Sequence, residues 1–160
     1  MTSLLEHLGK DTLPKPVLDA FVDWCIWQQA RPALLQVLEK TKLVGPADDV
    51  RAASDLPALA TSSERARNEA HEARKTTGPL GMSAAEAAAF EVTNLVTAAS
   101  EEEWDPESVS FFAARVCGWA GWAQTDFKDP EQKSKAEITA RNEQDAQLQT
   151  LWKKHGLSQE

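Results

Sequence analysis

Apolar side chains return every three or four positions along most of this chain, the period of a helix with one face turned inward. In 83–100 the stripe Ala85, Ala88, Ala89, Val92, Leu95, Val96 and Ala99 runs at that spacing beside Phe90. In 107–125, Phe111, Phe112, Val116, Trp119 and Trp122 alternate with Ala113, Ala114, Gly118, Ala120 and Gly121. Apolar residues there surround the axis, and a helix apolar all round is a buried one. Its glycines cost roughly 1 kcal/mol each against Ala, which points to close approach of another helix. Small residues on both segments predict a tight antiparallel pair at the centre. Segments 57–77 and 131–147 hold mostly charge, Gln and Ala and suit outer positions.

Helix punctuation is frequent and strand signals are scarce. Thr61-Ser62-Ser63-Glu64 and Ser83-Ala84-Ala85-Glu86 have the form of capping boxes. Asp105-Pro106-Glu107 and Asp129-Pro130-Glu131 each offer an N-cap Asp, a Pro at the first helical position and an acid in the first turn. Lys153-Lys154-His155-Gly156 reads as a basic last turn with a glycine stop, and Gly45-Pro46 and Gly78-Pro79 as the ends of two more segments. The prediction is helices at 15–30, 32–42, 48–54, 57–77, 83–100, 107–125 and 131–155, preceded by a short turn at 3–8. The fold class is all-α, a bundle of about six to seven helices in a single domain over 1–160.

Composition adds little to this. A chain of 160 residues buries about two-thirds of its unfolded surface without staples. Much of its 42% apolar content is Ala, so six Trp and five Phe carry an unusual share of the burial. The N-terminus lacks the basic and apolar regions of a signal peptide, and no apolar run reaches the roughly 18 residues of a membrane span. Cys25 and Cys117 sit among apolar residues and read as two buried free thiols. A cytoplasmic protein is expected.

Charge changes the picture more. Between Glu86 and Glu131 stand ten carboxylates (Glu86, Glu91, Glu101, Glu102, Glu103, Asp105, Glu107, Asp126, Asp129, Glu131) against only Arg115 and Lys128. That balance equals the whole chain's net charge of −8. The field is densest at Glu101-Glu102-Glu103-Trp104-Asp105-Pro106-Glu107. It repels nucleic acid and anionic membranes and attracts a basic partner. Asp105 and Glu107 suit the start of the helix they open, but Glu101 to Glu103 follow a helix C-terminus, where the dipole disfavours them. Two readings stay open: a solvated loop, or a partner surface in which Glu101, Glu102, Glu103, Asp105 and Glu107 steer and Trp104 anchors.

Chemistry beyond binding finds few candidates. Trp24 and Trp27, like Trp119 and Trp122, share a helical face; packing of two facing helices explains them better than an aromatic cage or a base-stacking platform, since a nucleic-acid platform needs flanking cations where Asp23, Gln28 and Gln124 stand. Arg115, alone in an apolar helix, calls for a carboxylate partner. His7, His71 and His155 are far apart in sequence, with no ligand spacing for a di-iron or zinc site, so neither metal nor cofactor is expected. His71 reads as exposed on a charged helix. No nucleophile motif or phosphate loop is present, so no enzymatic activity is expected.

Trp24-Cys25-Ile26-Trp27-Gln28-Gln29-Ala30-Arg31-Pro32, followed by Ala33-Leu34-Leu35-Gln36-Val37-Leu38, resembles the opening of a group of all-helical immunity proteins of bacterial polymorphic-toxin systems. The likeness continues through Arg65–His71, the Ala-rich helix at 84–99, Ala113–Ala120, Asn142-Glu143-Gln144 and Leu148–Trp152. It implies a cytoplasmic inhibitor that binds a cognate protein toxin and has no catalysis of its own. The acidic stretch would suit a basic toxin such as a nuclease, with no nucleic-acid or membrane partner. Arg31-Pro32 is expected to break one helix and start the next. The rivals are a small ligand-binding protein or enzyme with a pocket lined by Trp24, Trp27, Trp119 or Trp122, and a self-assembling structural protein.

Overall fold

The computed structural model describes residues 4–8, 13–76 and 81–158, and within them only helices and turns form. A short 3-10 turn at Leu4–His7 is followed by α1 (Lys15–Trp24), α2 (Arg31–Lys40), α3 (Val44–Ala52), α4 (Leu56–Thr76), α5 (Met82–Ala99), α6 (Pro106–Gln124) and α7 (Glu131–Ser158). The result is the all-α bundle that the periodicity predicts. Gly78-Pro79 lies outside the described residues.

The largest departure is at Arg31-Pro32, where no break occurs. Cys25–Ala30 forms a π-helical turn that joins α1 to α2 without leaving the helical region. Pro32 has no amide to give the carbonyl four residues back, and its ring crowds that carbonyl. The wider turn absorbs the defect: Arg31 N–H donates to Ile26 O, five residues back, and Arg31 itself stays helical at φ −61° and ψ −50°.

Other ends follow local chemistry. α2 stops at Thr41, whose hydroxyl donates to Val37 O at 2.9 Å, and Lys42 turns the chain with a φ of 62°. Gly45-Pro46 opens α3 instead of closing α2, since Pro is at home in a first turn that needs no amide from it. α4 is capped by Asp55, which accepts from Ala58 N at 2.8 Å. Thr61-Ser62-Ser63-Glu64 therefore falls mid-helix and is no capping box; Ser62 donates its hydroxyl to Leu59 O instead. Nor does Ser83 cap α5: Gly81 does so through its backbone at φ 92°, with the Phe127 ring lying where a Cβ would go. Asp105 caps α6 as expected, and Asp129 Oδ1 takes Glu131 N at the start of α7. Gly156 does not end α7, which runs on to Ser158.

α6 is the hub, packing against α1, the π turn, α2, α5 and α7. α5 fills the space between α6, α4 and α2 with Ala84, Ala85, Ala88, Ala89, Val92 and Leu95, all buried. The glycines of α6, however, face α7 and not α5. A Cβ on Gly121 would lie 2.4 Å from Ala136 Cβ and 2.8 Å from Gln132 O, and one on Gly118 would meet Lys133 O at 3.1 Å. The close approach that these glycines permit is thus to a helix whose exposed face is charged and whose inner face includes Ala136, Ala140, Gln144 and Leu148.

Candidate functional site

Folding pairs three of the ten carboxylates of the acidic stretch with cations, leaves Asp129 and Glu131 at the start of α7, and sets the other five on one turn. Glu86 meets His71 Nδ1 at 2.8 Å and Arg74 at 3.3 Å, both from α4, so His71 is half-buried and paired instead of free on the surface. Glu91 takes Arg115 Nε at 2.8 Å, which supplies the partner that the lone cation of α6 calls for. Asp126 reaches Lys40 of α2 at 3.1 Å. Among the described residues, no ion pair engages Glu101, Glu102, Glu103, Asp105 or Glu107, all five of them exposed.

These five ride on a turn held by backbone bonds. Glu103 N–H donates to Ser100 O at 3.1 Å, and Asp105 N–H reaches back to Ala98 O at 2.7 Å. The carboxylate of Asp105 accepts from both the amide and the hydroxyl of Ser108, at 3.3 and 2.6 Å. Glu101 to Glu103 follow directly on the C-terminal end of α5, so helix dipole and side chains add negative potential of one sign. A hollow of about 260 Å³ opens beside the turn, lined in part by Glu103, Asp105, Asn94 and Phe112. Trp104 is less free than the sequence suggests. It is half-buried against the core, and Lys15 Nζ lies 5.1 Å from its ring centre.

Trp24, Trp27, Trp119 and Trp122 flank the core without filling it. Trp24 stacks on Phe21 at 6.5 Å, and Arg31 covers Trp27 at 5.1 Å. Trp119 lies 6.0 Å from Trp122, which meets Phe127 edge-on at 5.4 Å, while Lys133 covers Trp119 at 4.4 Å. All four are partly exposed; Phe21, Ile26, Leu34, Leu38, Leu59, Leu95 and Leu148 fill the interior. Both cysteines are free thiols. Burial pushes the Cys117 thiol up to about 12 and raises that of Cys25 as well, the opposite of what a nucleophile needs.

A polar cluster that the sequence reading missed lies where α6, α7 and the π turn meet. Gln144, with no exposed surface, donates to Gln29 Oε1 and to Ser110 O, both at 2.8 Å. Gln29 in turn donates to Ala140 O at 3.0 Å, and Arg141 donates to Ser110 Oγ at 2.9 Å and to Gln144 Oε1 at 3.2 Å. The available signal was Gln144 itself, which interrupts the apolar positions Ala140 and Leu148 at four-residue spacing. Directly above this cluster runs a groove of about 410 Å³ between the π turn with α2, α6 and α7. Ala33, Ala120, Gly121 and Ala140 floor it, together with Gln29 and Cys117. Gln28, Gln36 and Gln124 wall one side, and Gln132, Lys135, Thr139 and Glu143 the other.

Compared with protein-family models, curated proteins and solved structures, the chain matches none. Among the described residues, no helix is long and apolar enough to cross a membrane, and no group of three or more His, Cys, Asp or Glu is placed to share a metal ion.

Proposed function

We propose that this protein binds and neutralises a cognate protein toxin, as the immunity proteins of bacterial polymorphic-toxin systems do, and that the turn after α5 meets the partner. One observation carries the reading: Glu101, Glu102, Glu103, Asp105 and Glu107 are exposed and unpaired, whereas Glu86, Glu91 and Asp126 of the same stretch are paired within the fold. Carboxylates left without a counter-charge at a helix C-terminus destabilise the chain that holds them, and a basic partner would relieve that cost. A basic toxin such as a nuclease fits best, with the inhibitor acting in the cytoplasm. The sequence likeness at Trp24–Pro32 supports the same class of function. The rival, a ligand pocket lined by Trp24, Trp27, Trp119 or Trp122, has less support, since none of the four borders the hollows described above.

The test is binding kinetics against a candidate basic toxin domain, at several ionic strengths. Changing Glu101, Glu102 and Glu103 together to Gln should slow association and flatten its salt dependence, because steering acts over a Debye length of about 8 Å at physiological salt. An unchanged association rate and salt slope would remove this turn from the interface.

A further inference from the structure

The groove between the π turn, α6 and α7 has features that a site for a small, elongated, hydrogen-bonding ligand needs. Its 410 Å³ falls within the usual 300–1,000 Å³ of small-molecule sites. Its walls are rich in primary amides, each of which both donates and accepts. Its floor is held rigid from below by the bonds of Gln29 to Ala140 O and of Gln144 to Gln29. The satisfied polar cluster beneath fixes Gln29 and the Ala140 backbone in place, so the floor of the groove is preorganised.

The charges at its two ends give the ligand a direction. At one end Gln124 donates to Gln36 at 3.0 Å, near the stretch of α7 that holds Gln132 and Lys135. At the other, Gln28 and Gln29 lie beside Ala140 and Glu143. Lys135 and Glu143 are both exposed, and among the described residues neither is in an ion pair. Eight residues of helix separate them by about 12 Å. An extended peptide advances about 3.3 Å per residue, so about four residues span that distance. The small side chains of the floor let a backbone lie close and offer no pocket for a large side chain.

We propose that this groove binds a short free peptide of about four residues, extended, with its carboxylate at Lys135 and its ammonium at Glu143. The wall glutamines pair with its main chain and its side chains face solvent, so recognition is of length and free ends more than of sequence. This reading is independent of the toxin-binding one and uses none of the residues at 101–107.

Tetra-alanine is the probe, used on the intact protein by calorimetry in its free, N-acetylated, C-amidated and doubly blocked forms. The free form should bind saturably in the millimolar range. Blocking one end should weaken binding about threefold and both ends about tenfold, the scale of exposed ion pairs. Glu143→Gln should erase the penalty for acetylation while keeping that for amidation, and Lys135→Gln the reverse. Both positions are exposed, so the fold survives the change. No saturable binding at millimolar peptide, equal affinity for free and doubly blocked forms, or preferences unchanged in the two variants would each overturn the proposal.

Discussion

The α6–α7 seam and the turn after α5 treat polar groups in opposite ways. In the seam, Gln29, Ser110, Arg141 and Gln144 lose water and recover hydrogen bonds from one another. In the turn, Glu101, Glu102 and Glu103 keep their water and gain nothing from the chain. The first arrangement fixes helix positions and would be costly to disturb. The second contributes little to folding, so a role for it has to come from outside the molecule. Stability and binding should therefore separate cleanly under mutation.

The largest effect should come from the seam's tightest point. Gly121→Ala places a methyl against Ala136 and the Gln132 backbone, where neither can retreat without moving α7. We expect a loss of about 3 kcal/mol, read as a lower denaturation midpoint, as overpacked cores show. Next is Gln144→Met, which fits the space but leaves Gln29 Oε1 and Ser110 O without this donor. It should cost about 2 kcal/mol, and pairing it with Gln29→Leu should recover part of that in a double-mutant cycle. If the two losses simply add, the amides do not act as a unit.

A smaller effect belongs to the ion pair between the two regions. Arg115→Met strands Glu91, which is buried, but the Arg side chain is 32% exposed, so solvent softens the loss. About 1–2 kcal/mol is expected by thermal melting, below the 3–5 kcal/mol of a fully buried pair. The smallest is the triple change of Glu101, Glu102 and Glu103 to Gln. Its melting point should move by no more than about 0.5 kcal/mol allows, and upward if at all, since repulsion at the end of α5 is relieved. A clear fall in stability would show that the turn has structural work to do and that it is not the seam's opposite.

Most helices were legible because their inner stripes and Asp-Pro starts are local signals. Asp105 and Asp129 cap through bonds spanning two or three residues, and such chemistry is visible in any window of that length. What escaped was decided between helices. Arg31-Pro32 looked like a break because a proline's fate in a helix depends on whether the previous turn can widen. The glycines of α6 announced a close neighbour but not which one, since Ala136 and Gln132 lie on a segment whose charge marked it as peripheral. The acidic turn was legible as charge, but its separation from Glu86, Glu91 and Asp126 required knowing that α2, α4 and α6 supply Lys40, Arg74 and Arg115. Trp104 shared this limit: its half-burial beneath Lys15 is set by α1, almost ninety positions away in the chain.

The π turn also settles a question of phase. From α1 to α2 the inward residues fall in doublets four apart: Val17-Leu18, Phe21-Val22, Cys25-Ile26, Gln29-Ala30, Ala33-Leu34 and Val37-Leu38, all buried. At about 100° per residue, a four-residue repeat in an unbroken α-helix drifts by about 40° per step, and five steps turn the last doublet roughly 200° from the first. Such a stripe would wrap most of the way to the opposite face. One extra residue in the π turn takes back about 100° of that drift. The remainder is a slow spiral, which lets α1 face α7 while α2 faces α6, α3 and α5. A single wide turn thus serves as the gear that keeps a four-residue rhythm in step with a helix of 3.6.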